Sequence, residues 1–507
     1  MTTMHHEQNE PGTLAALLHS ARFGASIDPL SRDETERMAA SQAVLDKTLM
    51  DGRPVYGVTR GFGPLVAFEA SDSAEQQGAG LISHLGTGQG EPLGPETSRL
   101  VFRLRLQSMR RGYSAISPEC WDVLARLWNS GFTPVIPRDG TVSASGDLQP
   151  LAHAALALAG RGEAWVREGD AWSVRPSAEV LRELGLAPVD WNARQALAFV
   201  NGTSVGLAVT MVNHAEVLHL TRALASLTAR AVVLLGANPE AYHAGLGHAR
   251  GQVGQLTAAR WIRSELAGAE HGPDRPLQEP YSLRCAPQVL GAVLDQLWAL
   301  EDILVREATG TTDNPVCYEG ELLHGGNFHA MPVGLASDQL GLCLQQVAYL
   351  ADRQLALLCT PATNGERAPM LTPNPGVFSG LAGVQLSATS FVSRIRQLVY
   401  PASLTTLPTN GGNQDHVPMA LNGANAVGDA LDLAWLVAGS LAAGLNQLAS
   451  LTERGSEPGG LWATLADRIP PLDEDRPMAP DVRAARAIVR EHAQDTVRAD
   501  GGDDGLR

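Results

Sequence analysis

The segment Thr141-Val142-Ser143-Ala144-Ser145-Gly146-Asp147-Leu148-Gln149-Pro150-Leu151-Ala152-His153 sets three small residues directly before a helix signal. Asp147 can cap that helix, Pro150 fits its first turn, and the Ala- and Leu-rich run to Gly160 supplies propensity. Small residues beside a helix N-terminus allow tight backbone turns next to a partial positive charge. Such a place favours negative charge developing on a group held there. By composition alone the same stretch is an ordinary turn. The rest of the chain narrows the chemistry. Lysine occurs once, at Lys47, and no Gly-Lys pair of a Walker A loop exists. A pyridoxal phosphate enzyme needs a Schiff-base lysine. Lys47 lies in a helical-looking run before Asp51-Gly52, with no phosphate-binding loop near it. Amino-group chemistry here therefore calls for an electrophile other than pyridoxal phosphate.

Further short motifs punctuate the chain. They are Val55-Tyr56-Gly57-Val58-Thr59-Arg60-Gly61-Phe62-Gly63, His84-Leu85, Ala198-Phe199-Val200-Asn201-Gly202-Thr203, the block Gln278 to Gln288, Thr312-Asp313-Asn314-Pro315, Gly325-Gly326-Asn327-Phe328-His329, and Gly412-Asn413-Gln414-Asp415-His416. Taken singly, each reads as a loop or capped turn. Taken in order with GTVSASGDLQPLAH, they resemble the aromatic amino acid ammonia-lyase and aminomutase family, which includes histidine, phenylalanine and tyrosine ammonia-lyases. The resemblance runs from about residue 20 to 490, closest in motifs to bacterial tyrosine ammonia-lyases.

The resemblance implies that Ala144-Ser145-Gly146 cyclises on itself, the Gly146 nitrogen attacking the Ala144 carbonyl with loss of water, including the Ser145 hydroxyl. The product would be a methylidene-imidazolone (MIO), an electrophile made from the chain. Glycine suits this because its nitrogen can approach a carbonyl without a side-chain clash. Serine suits it because losing its hydroxyl leaves an exocyclic methylene. Tyr56 takes the role of base toward the substrate β-proton, which needs a phenol pKa well below about 10; helix ends nearby are expected to lower it. Asn201 is expected to donate to the developing enolate-like oxygen, and Tyr281 to aid proton handling. Arg284 grips the substrate carboxylate, since a guanidinium meets a carboxylate bidentately. Asn314 reaches the same region, Gln278 joins the substrate-binding set, and Phe328 packs by the imidazolone. His84 and Leu85 read the ring, the histidine pairing with a para-hydroxyl. Neutral Gln414 stands where histidine ammonia-lyases carry a glutamate. Arg60, Met331 and Phe378 depart from the family pattern.

The 507 residues exceed one simple core. The expected fold is mainly α, a long-helix bundle core with a smaller N-terminal MIO-bearing domain, and the resemblance adds a homotetramer whose sites combine three subunits. Expected boundaries are a disordered tail at 1–12, the N-terminal domain at 13–202, the helical bundle at 203–493 and a second tail at 494–507. Stripes such as Val293, Leu297, Leu300, Leu304 and Leu340, Leu344, Val347, Ala351, Leu355 build core. Trp121, Leu124 and Trp128 form another before Gly131, and a hairpin is expected between Gly162 and Pro188. A net charge of −16 argues against nucleic acid as partner. Five scattered cysteines without CxxC spacing suggest reduced thiols in the cytoplasm and no metal site. The uncharged run Leu433 to Thr452 reads as a buried helix, not a membrane span.

The implied activity is elimination of ammonia from L-tyrosine or a close aryl-alanine, giving a trans-aryl acrylate such as 4-coumarate. A 2,3-aminomutase would share these steps and then return ammonia to the β-carbon. Phenylalanine is a further alternative substrate, while Gln414 argues against histidine. A non-catalytic helical scaffold would be expected to have lost several of Tyr56, the tripeptide, Asn201, Tyr281 and Arg284.

Overall fold

The computed structural model describes residues 12–266, 268–452 and 459–500. Helices dominate. Their ends follow local chemistry: Ser31 accepts from the Glu34 N–H while Glu34 reaches back to the Ser31 N–H, opening helix Arg32–Met50 with a capping box. Ser117 caps helix Pro118–Asn129, whose Trp121 and Trp128 are fully buried as the stripe predicts. Asn192 and Gln195 form a second capping box, opening the short helix Ala193–Val200 that ends at Asn201.

The chain divides into two compact units, each discontinuous in sequence. The first comprises Met1–Val212, Glu301–Asp338 and Pro401–Asn425; the second comprises Asn213–Leu300, Gln339–Tyr400 and Ala426–Arg507. The expected boundary at 202/203 therefore falls inside the first unit. The segments bearing Asn314, Phe328 and Gln414 also belong to that unit, because they bond to the tripeptide loop and its supports, as described below.

The first unit holds the short strands. Glu163–Glu168 and Ala171–Pro176 form the expected hairpin, with Trp165 opposite Val174, and Thr133–Pro134 adds a third antiparallel strand. Gln89–Pro92 pairs with Pro137–Asp139. Val316–Tyr318 pairs with Glu321–Leu323 around Glu319 and Gly320, both at positive φ, which suits a two-residue hairpin turn.

In the second unit the helical segments lie against one another through polar clasps as well as apolar stripes. His214 Nε2 bonds the Leu297 carbonyl at 2.8 Å, Gln354 donates to Thr228 Oγ1 at 2.8 Å, and Trp435 Nε1 donates to Glu216 at 3.1 Å. The stripe residues Leu340, Leu344, Val347, Ala351 and Leu355 are all buried on helix Met331–Cys359. Among the described residues two segments are long and apolar enough to cross a membrane, Ala193–Leu235 and Ala420–Ser450, but 89% and 67% of their most apolar windows are buried within the protein.

The C-terminal tail expected at 494–507 is corrected in part. Helix Ala479–Asp500 includes residues 494–500, held because Val482, Ala485, Val489 and Ala493 bury one face and Arg490 and Gln494 both bond Glu216. Residues 1–11 and 501–507 of the expected tails lie outside the described residues.

Glu34 also accepts from Arg110 at 2.6 and 2.9 Å. Burial would raise its pKa, but the bonds from Arg110 and Ser31 prevail and bring it from 4.5 down to about 2. Stability from this carboxylate is thus present above 4.5 and is lost as pH falls toward 2. In thermal melts across that range, wild type is expected to lose its advantage over Glu34→Gln as pH falls. Parallel acid limbs for the two proteins would contradict the assignment.

Candidate active site

The tripeptide loop is seated by backbone contact. Ser143 and Gly146 both adopt positive φ, and Ala144 and Gly146 pair across Ser145. A Cβ on Gly146 would lie 2.3 Å from the Gly202 carbonyl oxygen, so only glycine allows this approach. Asp147 N–H donates to that same carbonyl at 2.8 Å. Gly202 is constrained from its other side: a Cβ there would lie 1.8 Å from Arg105 Nη1. Arg105, fully buried on helix Pro95–Arg110, donates to the Ala198 carbonyl and to Thr312.

Asp147 occupies the N-cap position of helix Leu148–Leu158 but makes no side-chain cap there, contrary to expectation. Its carboxylate accepts from Ser143 Oγ at 2.7 Å and from the Gly206 N–H at 2.7 Å. It thereby serves the free N–H groups at the start of helix Ser204–Leu235. Burial raises its pKa to about 6, against the pull of these hydrogen bonds. Ser143 in turn accepts from the Leu421 N–H, and its carbonyl accepts from Ala330 N–H at 3.3 Å. That last bond ties the segment bearing Phe328 to the loop.

Ser145 stands partly exposed between buried Ala144 and Gly146. Asn201 Nδ2 donates to the Ser145 carbonyl at 2.8 Å, while Asn201 Oδ1 is buried with no hydrogen-bond partner among the described residues. Gln414 Nε2 donates to the Ser145 hydroxyl at 2.9 Å. These residues fit a tripeptide that cyclises: glycine is obligatory at 146, the serine hydroxyl is reachable, and a donor already sits on the Ser145 carbonyl oxygen.

The Tyr56 loop belongs to the same unit. Gly57 is at positive φ, and a Cβ there would meet Phe62 and Leu197 at 2.6 and 2.7 Å. Tyr56 Oη accepts from the Gly63 N–H at 2.9 Å. Its pKa is raised by burial, which outweighs that hydrogen bond. The lowering expected from nearby helix ends is not made by these groups, because burial penalises the phenolate more than one N–H stabilises it. The Phe62 ring lies 6.2 Å from both Tyr56 and His84. His84 is exposed and its Nδ1 donates to the Gly80 carbonyl, and Leu85 beside it is buried.

Asn314 is buried and its Oδ1 accepts from Gly325 N–H at 2.7 Å, joining two of the sequence motifs. Gln278, Tyr281 and Arg284 belong to the second unit. Arg284 lies over the Tyr281 ring and donates through Nε to the Glu279 carbonyl, and among the described residues its terminal nitrogens make no hydrogen bond. Gln278 is exposed, and Tyr281 is 72% exposed. Lys47 is exposed in the last turn of its helix. Among the described residues no group of three or more His, Cys, Asp or Glu is placed to hold a metal.

Arg105 and the role of Gly202 went unread in the sequence. An arginine set among Leu104, Leu106 and Met109 within a helix was the available signal. A cavity of about 460 Å³ is lined by Arg111, Tyr113, Asp313, Tyr318 and His324 among others, and by none of the residues expected to bind substrate.

Against known proteins, the aromatic amino acid lyase family matches residues 13–469. The histidine ammonia-lyase of Aromatoleum aromaticum is 35% identical over 493 residues, covering 94% of this chain and 92% of that protein. The crystal structure of tyrosine aminomutase from Streptomyces globisporus superposes with a TM-score of 0.87 at 28% identity, over 98% of each chain. Phenylalanine aminomutase of Pantoea agglomerans gives a TM-score of 0.87 at 25% identity, over 95% of this chain and 98% of the other.

The glycine contact is testable. Gly202→Ala must displace Arg105 or the tripeptide loop, an overpacking cost of about 1–3 kcal/mol. The expected result is a lowered melting temperature together with loss of activity. A variant as stable and active as wild type would show that the approach is not needed.

Proposed function

The chain belongs to the aromatic amino acid lyase family, and from that membership we propose that it eliminates ammonia from L-tyrosine or a close aryl-alanine, giving a trans-aryl acrylate such as 4-coumarate. The observation that carries the substrate reading is Gln414, a neutral amide within hydrogen-bond distance of the Ser145 hydroxyl. A neutral group there suits a phenyl or phenol ring better than an imidazole. His84, exposed at the end of helix Ala74–Leu85, supplies a polar partner for a para-hydroxyl. A site built to bond a hydroxyl discriminates strongly, since the wrong substrate leaves the polar group unpaired.

Ala144, Ser145 and Gly146 would form the imidazolone, which when formed supplies an electrophilic methylene for the substrate amine and turns that amine into a leaving group. The surrounding residues do the rest. Asn201 keeps a donor on the Ser145 carbonyl oxygen, so negative charge there meets a hydrogen bond already in place. Tyr56 takes the β-proton on its Oη, where the Gly63 N–H favours the phenolate against the burial that raises its pKa. The expected carboxylate ligands are Arg284, whose terminal nitrogens make no hydrogen bond among the described residues, and Asn314, with Tyr281 and Gln278 as further members of the set. Phe328, on the segment that Ala330 ties to the Ser143 carbonyl, is proposed to pack by the imidazolone. The proposed assembly is a cytoplasmic homotetramer in which subunits complete one another's sites; the 72% exposure of Tyr281 in one chain supports it, as do five free thiols for the compartment.

A second reading has its own support. The histidine ammonia-lyase relative at 35% identity favours histidine as substrate, and the two aminomutase structures favour 2,3-amino transfer. Lyase and mutase differ in how long the acrylate stays enclosed.

Incubating the protein with L-tyrosine, L-phenylalanine and L-histidine separately, with chromatography and mass detection, is expected to give an aryl acrylate from tyrosine. Urocanate from histidine alone would replace the tyrosine reading. A β-amino acid of unchanged mass would establish the mutase. Ser145→Ala is expected to abolish turnover, and its tripeptide-bearing peptide should keep the water that the wild-type peptide has lost. Full activity in Ser145→Ala would refute the imidazolone.

A further inference from the structure

His324 follows the hairpin Val316–Tyr318/Glu321–Leu323 and directly precedes the Gly325-Gly326-Asn327-Phe328 motif. Its Nε2 lies 3.2 Å from the Tyr56 backbone nitrogen. A backbone N–H can only donate, so Nε2 is the acceptor and the imidazole carries its proton on Nδ1. Partial desolvation of the otherwise exposed His324 ring and the Arg194 guanidinium lower its pKa, which favours the neutral ring that this bond needs. The next residue, Gly325, donates to Asn314 Oδ1 at 2.7 Å. Two consecutive residues at one hairpin end therefore clip two site residues, Tyr56 and Asn314. The tight Glu319-Gly320 turn, and the Cys317 N–H donated to the Tyr113 carbonyl at 2.8 Å, fix the hairpin itself.

We infer that His324 is a positioning residue for the reaction, holding the Tyr56 backbone so that the phenol oxygen stays seated on the Gly63 N–H. This rests on the reading of Tyr56 as the base. The Tyr56 and Gly63 positions are seven residues apart in a loop whose turns depend on glycine, and among the described residues the Tyr56 N–H has no other partner. Loss of the His324 acceptor frees the start of that loop. Misplacement of a reacting group by about 1 Å costs roughly 100-fold in rate. His324 also borders the 460 Å³ cavity, so a side chain of different shape there meets open space and not packed core.

The test compares His324→Leu, which cannot accept, with His324→Gln, whose amide oxygen can reach the place of Nε2, in the full-length protein. Hydrogen exchange read by mass spectrometry on the peptide spanning 55–63 is expected to quicken in His324→Leu and return toward wild type in His324→Gln. On whichever amino acid wild type converts, His324→Leu should lose roughly 10- to 100-fold in kcat. KM should stay within about twofold, and the Gln variant should recover most of the loss. Unchanged exchange over 55–63 in His324→Leu overturns the inference, as does a loss that Gln fails to relieve. Tyr56→Phe separates the two ideas: an active Tyr56→Phe defeats the base reading and this inference with it. An inactive Tyr56→Phe beside a fully active His324→Leu defeats the inference alone.

Discussion

Two glycines brought into backbone contact, Gly146 and Gly202, set the arrangement of everything around the tripeptide. Neither can carry a side chain, since Gly146 faces the Gly202 carbonyl and Gly202 faces the Arg105 guanidinium. Once that contact forms, Asn201 is carried to the Ser145 carbonyl and the Asp147 N–H finds the Gly202 oxygen. The Asp147 carboxylate then meets the start of helix Ser204–Leu235. The contact converts three small residues in a loop into a surface with one hydroxyl outward and one carbonyl already bonded.

Behind that contact lies a cluster of buried charge. Arg105, Arg194 and Asp313 are nearly inaccessible, and Arg194 pairs with Asp313 while also donating to the Ser114 and Pro315 carbonyls. Burying such groups is costly unless their hydrogen bonds are filled. Here the bonds run to backbone carbonyls of the loops that bear site residues, so the cluster's cost is offset while those loops are held in register. Burial still raises the Asp313 pKa against the opposing pull of Arg194 and Arg105.

Family membership and substrate choice rest on different parts of the chain. The seat of the tripeptide is built from backbone contacts at Gly146 and Gly202. In the proposed reading, ring recognition would fall to side chains such as His84 and Gln414, the latter bonded to the Ser145 hydroxyl. Arg60 and Met331 are partly exposed. A few such side chains can redirect specificity without disturbing the seat, which is consistent with one fold being shared by lyases and aminomutases.

Much was legible from sequence because the signals are local. The tryptophan stripe of helix Pro118–Asn129, the hairpin around Gly169 and the buried apolar stripes each depend on neighbours within one turn or strand. The motifs likewise announced a chemistry, since residue types at fixed spacing survive without knowledge of the fold. Tertiary structure decided what local spacing cannot encode. Asp147 abandons its own helix for one that begins 57 residues later, and Tyr56 takes a partner 268 residues away in His324. Burial reverses the expected direction of the Tyr56 pKa, and contacts to Glu216 extend the last helix through residues expected to be a tail. Each of these turns on which distant surface arrives, and arrival is settled by packing and desolvation acting on the whole chain.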